Sequence, residues 1–331
     1  MQIDFLTVLI AVLSLVLLAV PGFIFGKLKL FPENAAETFS TFVLYCAQSA
    51  MLFMSFQEYY NDKIASNILI VAGLTVVIHL AMFAVIYLVM HHKGKRPTVN
   101  SARYASMFSN CGYMGLPFLQ IVFSGSGLGG EIIIYAGIVI AIFNVFSWTL
   151  GVYLVSGDKK YVSLKKIALN PVIISIVLGA LCFFIIKKPI ANLATAGTSG
   201  SFVLEKIMGS IDIIGNLVTP LSMTVIGINL AKVKVKELLL DKWAYVSCFF
   251  KLIVMSVLTM FIVAFLPIDN VVKYLMFFLL SMPSATSTAM FSVKFGGDVK
   301  SASVTVLLST VLSILTIPLL YLLMSGVFVA L

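Results

Sequence analysis

Apolar runs of about 20 residues, separated by short polar connections, recur along the whole of this 331-residue chain. They predict ten helical spans, roughly 5–25, 38–60, 64–90, 102–123, 131–155, 171–188, 203–230, 242–266, 270–293 and 300–327. No connection is large enough for a soluble domain. The longest are 156–170 and 188–202, and the first of these is the natural seam between residues 1–155 and 171–331. The opening run, 5–25, follows one acidic residue, Asp4, and no basic segment; it is too long for a signal peptide and reads as a retained first helix.

Two spans are interrupted. In the fourth, Ser109-Asn110-Cys111-Gly112-Tyr113-Met114-Gly115-Leu116-Pro117 places two glycines and a proline inside an apolar stretch. In the ninth, Ser281-Met282-Pro283-Ser284-Ala285-Thr286-Ser287-Thr288 does the same around Pro283. Hydrocarbon offers no water to an exposed amide or carbonyl, so unwound backbone survives there only when buried in protein or lining a wet cavity. Pro117 and Pro283 lie 166 residues apart, half the chain. Adding 166 maps 5–25 onto 171–191, 38–60 onto 204–226 and 131–155 onto 297–321; four of the five pairs of spans register within a few residues, and the third is about ten residues out. No convincing residue identity accompanies the match beyond the two prolines, so this is a repeat of architecture. Because five spans per half is an odd number, the second half is expected to insert upside down, bringing the two breaks together near the midplane, where carriers of this type bind substrate.

Composition fixes the class. With 61% hydrophobic and 11% charged residues and a mean hydropathy of +1.10, the chain is an all-α polytopic membrane protein. The net charge of +9 sits in short loops and not on a polar domain, so it argues for membrane orientation and against nucleic acid. Sixteen of the 22 basic residues fall in odd-numbered loops, among them Lys93, Lys95, Arg96, Lys234 and Lys236, and five in even-numbered loops. The positive-inside rule then puts the odd loops in the cytoplasm and both termini outside the cytoplasmic membrane. Cys46, Cys111, Cys182 and Cys248 lie in apolar spans without metal spacing. No phosphate-binding loop, HExxH or GxSxG is present, so no enzyme activity, cofactor or metal is expected. Gly125 to Gly130 satisfies GxGxxG but follows a membrane span and reads as a hairpin. Gly22 and Gly26 form a small-xxx-small pair, compatible with close packing and common by chance.

At each break the resuming helix presents free amides and the positive end of its dipole. Asn110 and Gly112 at the first, with Pro117 behind them, and Pro283, Ser284, Thr286, Ser287 and Thr288 at the second would frame a pocket for a carboxylate. The plainer alternative is that both prolines merely kink packed helices. Lys251, mid-span in the eighth helix, is either a functional charge or a side chain snorkelling to an interface. His79 in the third span reads equally as packing or function. Asp212 would take up a proton or cation, or simply be wet; Gln48, Asn144 and Asn216 are polar residues at depth of the kind that glue helices together.

Asn110-Cys-Gly-Tyr-Met-Gly-Leu-Pro117, Asn170-Pro171, Thr219-Pro220 through Gly227, Pro283-Ser-Ala, Phe295-Gly-Gly-Asp298, Leu308-Ser-Thr310 and Thr316-Ile-Pro318 together resemble the auxin efflux carrier family. That family holds plant PIN-type carriers and bacterial proteins named as malate or malonate permeases. The resemblance spans essentially the whole chain. It implies ten helices in two inverted five-helix repeats with crossing, broken helices 4 and 9. It also implies a scaffold from helices 1, 2, 6 and 7, a mobile transport domain from helices 3–5 and 8–10, a homodimer, and elevator-type movement of a small organic anion. PIN-type carriers hold acidic residues and a lysine in helix 3, where this chain has only His79; Lys251 stands on the facing helix instead. A coupled proton or sodium ion remains open. A sodium-coupled carrier resembling bile-acid symporters, and a channel or receptor of the same shape, are the alternative classes.

Overall fold

The computed structural model describes residues 3–94, 96–162, 164–232 and 240–330. Lys95, Lys234 and Lys236, used above for orientation, lie outside them. All regular structure among the described residues is helical. The main elements are α1 (Phe5–Lys27), α2 (35–55), α3 (Asp62–Met90), α4 (Pro97–Met107), α5 (Cys111–Val122) and α6 (Gly129–Ser156). They continue with α7 (171–186), α8 (Ser199–Ala231), α9 (Lys242–Ala264), α10 (Asn270–Ser281), α11 (Ser287–Phe295) and α12 (Val299–Ala330). Among the described residues, seven helices are long and apolar enough to cross a membrane: α1, α3, α6, α7 with the turn after it, α8, α9 and α12. α5 and α10 are shorter apolar helices. The chain is thus a multi-pass membrane protein. Leu17, Leu69 and Ile185, each at least 70% exposed, sit on helices apolar all round, as a lipid-facing surface requires.

Local chemistry sets many of the helix ends. The Asp4, Asn61, Asn170, Thr198, Asp241 and Asp269 side chains each accept a first-turn amide, and Pro97 and Pro171 occupy the first turn where no N–H is needed. Gly157 and Gly296 close α6 and α11 in the left-handed conformation. α2 stops at Ser55, short of the 60 expected from hydropathy. The polar residues beyond it tie the loop to the turn after α7: Gln57 Oε1 accepts the Ile190 amide at 3.0 Å, and the Tyr60 amide reaches the Lys187 carbonyl at 3.1 Å.

α1 lies along α8 at main-chain distance. A Cβ built on Gly22 would stand 2.3 Å from the Thr224 carbonyl oxygen, and one on Gly227 2.1 Å from that of Ala19. The glycine pair that sequence alone left as common by chance is therefore a packing surface. α2 packs against α7 and α8, α3 against α6, and α4 against α6, α9 and α12.

Candidate functional site

The fourth and ninth predicted spans are each two helices. α4 ends at Met107, and the chain is extended at Phe108 before α5 resumes at Cys111. The break therefore precedes Gly112, Gly115 and Pro117, which all lie within α5, the first two in a π-wound turn ahead of the proline. α10 ends at Ser281 because Met282 precedes Pro283, which disfavours helical backbone there; Met282 adopts ψ 153°.

The two breaks meet main chain to main chain. The Asn110 amide donates to the Pro283 carbonyl at 2.7 Å, and the Ala285 amide donates to the Phe108 carbonyl at 2.9 Å, one antiparallel bridge centred on Ser109 and Ser284. Each serine then reaches the other broken helix. Ser284 Oγ donates to the Ala105 carbonyl at 2.9 Å, and Ser109 Oγ to the Leu280 carbonyl at 3.2 Å. The Ser284 amide donates to Ser309 Oγ on α12 at 3.1 Å. These bonds supply partners that unwound backbone needs at this depth.

The arrangement leaves a side-chain donor over. The Met114 and Gly115 amides of α5 bond the Asn110 carbonyl, and the Thr288 amide of α11 bonds the Ala285 carbonyl at 3.0 Å, while the positive ends of both helix dipoles lie at the paired breaks. Asn110 is 3% exposed, and its Nδ2 is buried without a hydrogen-bond partner. Gly112 has no side chain because Gln48 of α2 takes that space: a Cβ there would fall 2.6 Å from Gln48 Nε2. At the second break, Thr288 Oγ1 is turned back onto the Ala285 carbonyl at 2.6 Å, while Thr286 and Ser287 are half-buried. Ser287 Oγ bonds Tyr104 OH at 2.8 Å, and Tyr104 OH also bonds Ser147 Oγ on α6 at 2.7 Å. An apolar cavity of about 230 Å³ between α1, α8 and α12 reaches Met114 in the first turns of α5.

Lys251 lies in a π-wound turn of α9 and is fully buried; its Nζ donates to the Leu280 carbonyl at 2.6 Å. It does not snorkel. His79 of α3 is also fully buried, stacked on Phe146 with ring centroids 5.3 Å apart. Its Nδ1 lies 2.8 Å from the Thr75 carbonyl, its Nε2 has no partner, and its ring is 6.2 Å from that of Phe108 at the first break. Asn144 and Asp212 do not join this group. Asn144 Oδ1 accepts Asn170 Nδ2 at 3.2 Å and so steadies the cap of α7, while Asp212 is on the exposed face of α8, accepting Asn216 Nδ2 at 3.1 Å. Tyr104 belongs to the site without having stood out in sequence, and Ser109 and Ser309, quoted within longer stretches, were given no part of their own. A single hydroxyl in a membrane helix is ordinary and carries no signal by itself.

A multi-pass helical body whose interrupted helices pair at their breaks is the architecture of a membrane transport protein and not of an enzyme. The chain belongs to the membrane transport protein family, the auxin efflux carrier family, whose model matches residues 7–165 and 158–321. It is 26% identical over 317 residues to an uncharacterized transporter of Methanocaldococcus jannaschii, covering 94% of this chain and 96% of that protein. It is 24% identical over 319 residues to the "Putative malonate transporter" of Rhizobium meliloti, covering 92% of each.

Proposed function

We propose that this protein is a secondary carrier that moves a small organic anion, a carboxylate in particular, across the cytoplasmic membrane. Counting α4 with α5 and α10 with α11 gives ten crossings, in inverted halves 1–155 and 171–331 joined by the connection 156–170, with both termini outside. The packing of α1 and α2 on α7 and α8 supports a scaffold, and α3–α6 with α9–α12 would form the body that moves as an elevator. Two copies would join through the scaffold. The name of the Rhizobium meliloti relative, which specifies malonate, fits a dicarboxylate substrate.

The observation that carries this reading is the main-chain pairing of the breaks, which brings the positive first turns of α5 and α11 and the unpaired Asn110 carboxamide nitrogen to one place. An anion placed there takes that donor at little reorganisation cost, with Gly112, Ser284, Thr286, Ser287 and Thr288 lining its seat and Pro117 and Pro283 fixing the backbone. The test is a thermal-shift screen of the purified protein against mono- and dicarboxylates, followed by counterflow of the best binder in liposomes. Saturable counterflow is expected. Unsaturable conduction, or binding without flux, would replace the carrier with a channel or receptor.

A further inference from the structure

A helix that ends inside a membrane leaves its last carbonyls without amides and brings the negative end of its dipole there. α10 ends in this way at Ser281. Two side chains from other elements converge on the Leu280 carbonyl: Lys251 Nζ at 2.6 Å and Ser109 Oγ at 3.2 Å. The next residue, Ser281, keeps a buried hydroxyl without a partner. Among the described residues no carboxylate lies within 4.0 Å of the Lys251 ammonium, so its charge is opposed by the carbonyl end of a half-helix. Burying an ammonium is costly unless nearby dipoles offset it, and this is a place where such dipoles accumulate.

Carriers built on broken helices use these same C-terminal half-helix ends and unwound carbonyls to hold a coupling cation. Here the covalently attached ammonium already stands there. We propose that Lys251 is a tethered cation occupying the position a soluble coupling ion would fill, so that the protein moves its anion without a co-transported metal cation. The transport half of this statement rests on the carrier reading above; the occupancy half does not.

The experiment compares melting of the purified protein in NaCl, methylammonium chloride and choline chloride at equal ionic strength and pH. Wild type is expected to melt identically in all three. Lys251→Ala vacates a space beside the Leu280 carbonyl, and sodium or methylammonium is expected to raise its melting temperature by at least about 2 °C over choline, which is too large to enter. Lys251→Met keeps the space filled, so no cation should rescue it. Indifference of Lys251→Ala to both small cations, or stabilisation of wild type by sodium, overturns the assignment. Should neither variant be recovered folded, wild type still decides. Melting and counterflow unchanged when sodium is replaced by choline support the tethered cation, and sodium dependence of either refutes it. A cation response in Lys251→Ala with no carboxylate binding in wild type would leave the tethered cation standing and remove the carrier reading; the converse would do the opposite.

Discussion

The main-chain amide of Asn110 donates to the main-chain carbonyl of Pro283 across 2.7 Å, although the two residues come from opposite halves of the chain. Because backbone holds the breaks together, the Asn110 side chain is not needed for that task. Its carboxamide nitrogen is buried and unpaired, an arrangement that costs stability and marks a donor kept for something else.

Asn110→Ala separates these roles. Deleting an unpaired buried donor removes a desolvation penalty, so the variant is expected to melt within about 1 kcal/mol of wild type. Carboxylate binding, measured by thermal shift and counterflow, should weaken roughly tenfold, the equivalent of about 1.4 kcal/mol for one hydrogen bond to a charged group. Wild-type affinity in a folded variant would move the anion seat away from Asn110.

Tyr104→Phe strikes the second break indirectly. The lost hydroxyl strands both Ser147 Oγ and Ser287 Oγ, which it bonds at 2.7 and 2.8 Å. Leaving the buried Ser147 hydroxyl unpaired costs about 1–3 kcal/mol and the half-buried Ser287 hydroxyl less, which should appear as a lower melting temperature. Ser287 opens α11, so loosening it should raise KM for the anion several-fold while the maximal rate changes little. A variant with lower stability but unchanged KM would make Tyr104 a purely structural tie.

Lys63 and Asp269 join the start of α3 to the cap of α10 at 2.6 Å. Partial burial works against the Asp269 carboxylate, but the Lys63 ammonium and the Val271 amide outweigh it, so its pKa lies below the ordinary value of 3.8. A lowered carboxylate pKa contributes stability above the unfolded value and loses it as pH falls through the folded one. The Lys63 side chain is 62% exposed, so screening limits the pair to at most about 1 kcal/mol. Asp269→Asn should therefore melt slightly below wild type at pH 7, and the gap should close as pH falls through the lowered Asp269 pKa and in high salt. A gap that persists at low pH would assign the effect to the cap and not to the ion pair.

Much of the fold was legible because membrane hydropathy leaves few options: runs at 5–25, 64–90, 131–155, 171–188, 203–230, 242–266 and 300–327 correspond to the seven membrane-length helices. Both interruptions were legible too, the second because Pro283 disfavours helix at Met282. The first was misplaced by a few residues. Glycine and proline drew attention to Gly112–Pro117, which a resumed helix accommodates; the unwound residues are Phe108–Asn110, at the leading edge of the stretch picked out from sequence. Gln48 and Gly112 could not be paired from sequence, because their contact depends on how α2 crosses α5. Asn144 and Asp212 fall to the plainer of the readings open to them: one joins α6 to the cap of α7 and the other faces outward.

Glycine substitutions offer a graded test of the packing. In Gly227→Ala the new methyl would lie 2.1 Å from the Ala19 carbonyl oxygen and 2.6 Å from the Phe23 amide nitrogen, both main chain of α1. Neither can rotate aside, so α1 and α8 must separate, at a cost expected to exceed about 2 kcal/mol. In Gly115→Ala the obstacle is Leu279 Cδ2 at 2.6 Å, the end of a side chain that can change rotamer, and the cost should stay near 1 kcal/mol. Gly73→Ala meets nothing within 4 Å on α3, where alanine's better helix propensity should be neutral or stabilising by about 0.5–1 kcal/mol. Melting temperatures in one detergent should thus fall in the order Gly73→Ala, Gly115→Ala, Gly227→Ala. If Gly227→Ala melted alongside Gly73→Ala, α1 and α8 would not touch at main-chain distance, and the rigid scaffold against which the crossover is proposed to move would lose its tightest joint.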